Sequence, residues 1–184
     1  MGERMLEQGL AEYGIQAEKS DIRVHVCPRI KRVYVYPTSA GLDAVNSGRY
    51  EKRPAYQPGY IGKTAEGCLV PPDEIAFCAE IKIRDTVWKK VDIRKEESTS
   101  VKGEKAVRIV KGMLKHGLCP IPTPNQEVKE YEMQISGADI LVRKGERQEV
   151  KIQVKCDYEG GCKKIGGTGN LFLQTAEINP LGMY

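Results

Sequence analysis

No apolar run in the 184-residue chain approaches membrane-spanning length, and the N-terminus lacks the hydrophobic centre of a secretory signal. No membrane association is expected, and a cytoplasmic setting is the default. C-x-x-C pairs are missing as well: Cys27, Cys68, Cys78, Cys119, Cys156 and Cys162 stand apart from one another. Six cysteines would form a disulfide framework in a small secreted chain, but nothing here points to secretion. A structural zinc site would have to be gathered from distant positions. Its nearest components are His25 with Cys27, which alternate to one strand face, and Cys156 with Cys162, which flank DYEGG. Buried reduced thiols are the simpler expectation. There are no repeats, no low-complexity blocks and no P-loop spacing. A net charge of +4 permits nucleic-acid binding without requiring it. The length suffices for one substantial core, or a small core plus a subdomain.

What is present is concentrated between Gly137 and Cys156, GADILVRKGERQEVKIQVKC. This stretch reads as two strands joined by a tight polar turn, Lys144-Gly145-Glu146-Arg147. Asp139 opens the first strand. The second ends in Gln153-Val154-Lys155, where a period of two puts Gln153 and Lys155 on one face and Ile152 and Val154 on the other. A hairpin of this kind gathers a carboxylate, an amide oxygen and an ammonium at one edge of a sheet. Mg²⁺ prefers hard oxygen ligands and keeps much of its water, so Asp139, Gln153 and the Val154 carbonyl are candidate metal ligands. A bound metal lowers the pKa of a water and offsets charge on a phosphoryl group. Lys155 is the candidate for orienting that water or stabilising the charge that builds up.

At these residues the chain resembles the PD-(D/E)xK nuclease superfamily, with Asp139 as the strand-opening acid and Gln153-Val154-Lys155 as a Gln variant of the triplet. Lys102-Gly103-Glu104, followed by VRIVKGMLKHGL at helical spacing, is similar to the helix preceding the catalytic sheet. Thr168-Gly169-Asn170-Leu171-Phe172-Leu173-Gln174 looks like the strand that follows the triplet. The resemblance covers residues 101–184. It implies a Mg²⁺-dependent deoxyribonuclease, with Mn²⁺ able to substitute. The implied catalytic residues are Asp139, Gln153 and Lys155, with Glu104 as a possible helper. The chain departs from the family in three places. Val107 stands where family helices present a Glu, and Glu104 lies one turn earlier on the same face, where it equally suits the first turn of a helix. Gln153 replaces the second acid, and Gln174 stands where relatives tend to have Glu. These departures leave open a slow or inactive site.

Elsewhere the pattern is coarser. Glu3 to Tyr13 has helical spacing, stopped by Gly14. Ile22 to Tyr36 gives two strand-like runs, IRVHVC and KRVYVY, around Pro28-Arg29-Ile30. Thr38 to Pro72 is rich in Gly, Pro, Ser and Tyr and reads as a long loop or flexible arm. Glu74 to Arg94 alternates like a strand pair or bent ribbon. Ser98, Thr99 and Ser100 offer N-caps for the helix that Gly117 ends. Pro120, Pro122 and Pro124 form a rigid connector. Core strands are expected at Val128 to Ile135, from Asp139, and at Val150 to Lys155, with a last strand after the glycine-rich GGCKKIGGTG.

The expected fold is α+β: a restriction-endonuclease-like core at 98–184, with one helix on a mixed sheet, and a β-rich extension at 1–97 for DNA recognition or dimerisation. Either the N-terminal ribbon completes the core sheet or a partner subunit covers its edge. Lys163 and Lys164 in the glycine-rich loop, Lys102, and Lys52 and Arg53 among tyrosines are candidate contacts to the DNA backbone. Cutting both strands of a duplex favours a homodimer. The expected function is a metal-dependent endonuclease of restriction, homing or phage type. The alternative is a catalytically weak or inactive nucleic-acid-binding or assembly protein of the same fold.

Overall fold

The computed structural model describes residues 20–54, 66–118, 128–130, 139–144, 148–158 and 170–174. The helix expected at Glu3 to Tyr13, the proline connector, the turn at 145–147, the glycine-rich loop, Cys119 and Cys162 lie outside these residues. The architecture is mixed α+β, and among the described residues no helix is long and apolar enough to cross a membrane.

The two runs of β-branched residues after Asp21 form an antiparallel pair, β1 (Ile22–Cys27) and β2 (Arg32–Pro37). A 3-10 turn at Pro28–Ile30 joins them, closed by Lys31 in the left-handed region at φ 54°. Both strands are buried on both faces, as a central strand pair requires. Val24, Val26, Val33 and Val35 point to one core, while Cys27, Tyr34 and Tyr36 point to another.

The main sheet has six strands, in the order β5-β2-β1-β8-β7-β6. Its remaining members are β5 (Ala79–Lys82), β6 (Val128–Glu130), β7 (Ile140–Lys144) and β8 (Gln148–Cys156). The hairpin read from Gly137 to Cys156 is present, with Ile140 opposite Ile152 and Val142 opposite Val150. β1 lies parallel to β8, with Val24 opposite Val154. The N-terminal ribbon therefore completes the core sheet, and one continuous sheet is built from both sides of the 97/98 boundary.

On one face lie the helices α2 (Asp85–Val91) and α3 (Thr99–Lys115). α3 follows the expected signals. The Ser98 hydroxyl accepts from the Val101 N–H at 3.3 Å, and Gly117 turns the chain at φ 66°. Ala106, Ile109, Val110 and Met113 form its buried stripe at i, i+3, i+4 and i+7. They pack on Val24, Val26, Ile140, Val142, Ile152 and Val154.

On the other face a three-stranded antiparallel sheet packs with helix α1 (Thr38–Asn46). Its strands are β3 (Lys52–Pro54), β4 (Glu66–Val70) and β9 (Leu171–Gln174), with β4 central. Cys68, Val70, Leu171 and Leu173 meet Tyr34, Tyr36 and Ala40 there.

Three expectations are corrected. Thr38 opens a nine-residue helix rather than a loop, and its inward residues, Thr38, Ala40, Gly41 and Val45, are mostly too small to show an apolar period. The small size has a cause: a Cβ at Gly41 would sit 2.7 Å from the Tyr36 ring. In the Glu74 to Arg94 ribbon only Ala79–Lys82 is a strand. From Asp85 the chain is helical, burying Trp88 and Val91 one turn apart. Its first-turn Asp85 and last-turn Lys89 and Lys90 suit the helix dipole. Finally, β9 leaves the main sheet after β8 and pairs with β4, with Cys68 opposite Leu173.

Candidate active site

The β7–β8 hairpin gathers the candidate residues where β7 begins. Asp139 immediately precedes that strand and is only 7% exposed. Its N–H donates to the Ile152 carbonyl at 2.9 Å, and its carboxylate accepts from the Val154 N–H at 2.6 Å. The carboxylate thus fills the position of a backbone acceptor at the strand end, in a charge-assisted bond. A strand residue turns its N–H and C=O to the same side, so the Val154 carbonyl also faces β7.

Gln153 and Lys155, both partly buried, alternate to the face away from α3. The parallel register sets Arg23 beside Gln153 and His25 beside Lys155. The antiparallel register with β2 extends these rows to Tyr36 and Tyr34. Arg23, His25 and Tyr36 are buried, His25 to 2% exposure. Its Nε2 lies 2.8 Å from the Tyr36 hydroxyl, while Nδ1 has no hydrogen-bond partner among the described residues.

Electrostatics couple these groups. Burial raises the pKa of Asp139, opposed by the Val154 N–H and by the Lys155 charge. Burial lowers the pKa of Lys155, with Arg23 adding to the effect and Asp139 opposing it. Each member of the Asp139–Lys155 pair therefore favours the other's charge, while desolvation disfavours both charges. His25 is pushed down to about 3 by burial, Arg23 and Lys155, and is neutral at ordinary pH. The Tyr36 phenol is pushed up by burial, against a hydrogen bond from Arg23.

The other candidates stand apart. Glu104 is exposed on the outward side of α3, the helix covering the sheet face opposite Gln153 and Lys155, so the structure does not bring it to Asp139. Lys102 donates to the Lys95 carbonyl at 3.2 Å, and its ammonium lies 6.0 Å from the Tyr158 ring centre. Lys52 is exposed on β3. The Arg53 side chain, Lys163 and Lys164 lie outside the described residues. Among the described residues no group of three His, Cys, Asp or Glu side chains is placed to hold a metal ion. The hairpin residues carry oxygen donors in the Asp139 carboxylate, the Gln153 amide and the Val154 carbonyl, and the Asp139 carboxylate is joined to the Val154 backbone by its hydrogen bond.

Sequence reasoning did not place Arg23, His25 and Tyr36 here. The alternation of IRVHVC hinted that Arg23 and His25 share a face, but their neighbours come from a strand some 130 positions away. No protein-family model, curated protein or solved structure matches the chain.

Proposed function

We propose that the protein is a metal-dependent endonuclease that hydrolyses DNA phosphodiester bonds on a restriction-endonuclease-like core. One observation carries this reading. The Asp139 carboxylate is held on the backbone of the Gln153-Val154-Lys155 triplet, within electrostatic reach of Lys155. The donor set is one carboxylate with amide and carbonyl oxygens, which fits a single hard cation that retains water. Asp139, Gln153 and the Val154 carbonyl would hold Mg²⁺, with Mn²⁺ able to replace it. When bound, the ion would supply charge compensation at the phosphoryl group and a water of lowered pKa.

The chain's own groups carry the remaining work. Burial makes the Lys155 ammonium a readier proton donor than an exposed lysine, and the Asp139 carboxylate opposes that shift. It can orient an attacking water and stabilise the charge that develops on the phosphoryl oxygens. Arg23 adds a fixed positive charge one strand away, beside Gln153. Glu104 has no part in this scheme. Cutting both strands of a duplex calls for two such sites, so the reading includes a homodimer.

A second reading, a weak or inactive nucleic-acid-binding protein of the same fold, is favoured by Gln153 itself. There an amide-bearing residue stands in register beside Arg23 in place of the second acid. Incubation of a supercoiled and branched DNA panel with Mg²⁺ or Mn²⁺ separates the two. The endonuclease reading expects metal-dependent cutting that is lost in Asp139→Ala and in Lys155→Ala. Binding without cutting, equal in wild type and both variants, would leave the second reading in its place.

A further inference from the structure

A concavity lies between α2 and α3, on the side of the main sheet away from Gln153 and Lys155. It encloses about 310 Å³, at the lower end of the volumes that hold small organic ligands. Val87, Val91, Ile109 and Met113 give it an apolar floor. Lys90, Arg108 and His116 are exposed around it, and no acidic residue is among its described lining.

Gly112 borders the same cavity and supplies an independent observation. It sits in the last turn of the 17-residue α3, where its carbonyl accepts the capping His116 N–H, and glycine in a helix lowers stability relative to almost any other residue. Neither usual reason for a helical glycine applies. Its φ is not positive, and a Cβ built there meets nothing within 4 Å. At Gly41, by contrast, a packed ring demands the absence of a side chain. Gly103 of the same helix is equally open, so what sets Gly112 apart is its place in the cavity lining.

We infer that this cavity binds a small organic anion with an apolar body, an acyl or aryl carboxylate or phosphate, at a site separate from Asp139 and Lys155. The floor offers nothing to a bare inorganic ion. The basic rim, without a carboxylate among its described residues, disfavours a cation. The apolar body buries against Ile109 and Met113, and the head group meets Lys90, Arg108 and His116 at the mouth. The assignment is independent of the nuclease reading, because it uses none of the same residues and lies across the sheet.

The chain carries its own reporter. Trp88 is its only tryptophan, and Val87 and Val91, its neighbours on α2, line the cavity. The test is to titrate the full-length protein with decanoate below its micelle-forming concentration, following Trp88 emission and heat of binding. Decyltrimethylammonium and inorganic phosphate serve as comparison probes. Decanoate should bind saturably, and both comparison probes roughly tenfold or more weakly. Gly112→Leu should keep the far-UV spectrum, retain or raise the melting temperature, and weaken decanoate by about tenfold or more. The exposed double variant Lys90→Glu/Arg108→Glu should weaken it similarly, and it decides the matter if Gly112→Leu does not fold. Absence of decanoate binding would overturn the assignment. So would equal binding of the two decyl compounds, or a folded Gly112→Leu that binds as the wild type does. A Gly112→Leu variant that changes the sedimenting species, with no decanoate bound by wild type, would also overturn it and make this face a contact between copies of the chain.

Discussion

His25 ties stability to pH through a single buried ring. Its pKa falls from 6.5 to about 3 because burial, Arg23 and Lys155 all oppose the imidazolium. Between those values the unfolded chain takes up a proton at this residue that the folded chain refuses. The stability present above pH 6.5 is therefore lost as pH falls toward 3. At pH 4 the loss from this residue is about 3 kcal/mol, at about 1.4 kcal/mol per pKa unit. Urea unfolding at pH 7 and pH 4 should show a drop of that order in wild type and a smaller one in His25→Gln. Equal drops in the two proteins would remove His25 as the cause. Asp139 acts in the opposite sense, because its raised pKa lets the folded state accept a proton first, so its contribution grows as the medium acidifies. The sequence showed Asp139, Gln153 and Lys155 because they fall on one local hairpin. It did not show that Arg23 and His25 stand beside them, because that proximity depends on pairing with a remote strand.

Legibility at the level of elements follows the size of the side chains involved. α3 could be read from its Ser98 cap, its large apolar stripe and Gly117. α1 could not, because the residues packed against Tyr36 are small. α2 was hidden in a stretch whose apolar residues, Ile81, Ile83, Val87 and Val91, fit a ribbon as readily as a strand followed by a helix. β4 shows the same tight fitting as α1. A Cβ at Gly67 would lie 2.4 Å from the Leu173 carbonyl oxygen and 2.6 Å from the Phe172 ring. The carbonyl belongs to the paired backbone of β9 and cannot swing aside, so the β4–β9 ladder would have to open. Gly67→Ala should therefore destabilise the fold by about 1–3 kcal/mol, the usual range for overpacking. Chemical denaturation measures this directly, and an unchanged midpoint would mean that the two strands approach less closely.

For the molecule as a whole, the decisive feature is the insertion of β1 between β2 and β8. Half the main sheet comes from the first 97 residues, and Val24 and Val26 complete the core beneath α3. The resemblance over residues 101–184 left open whether the N-terminal ribbon or a partner subunit completes the core sheet. Local pattern could not decide between them, since strand order depends on contacts remote in sequence. A fragment of residues 98–184 should lack cooperative unfolding when expressed alone and gain it on mixing with residues 1–97, as read by circular dichroism and thermal melts. A cooperative transition in the isolated fragment would show that β8 does not need β1.

The two cores on opposite faces of this sheet also differ in their sulfur chemistry. Cys27 and Cys68 are fully enclosed in one, while Cys156 packs against the other with its thiol pushed up to about 12 by burial. A thiol reacts with an alkylating reagent through its thiolate, so the partly buried Cys156 is slowed by its raised pKa, whereas Cys27 and Cys68 wait until the layer around them parts. The labelling rates of Cys27 and Cys68 therefore clock the opening of that layer alone.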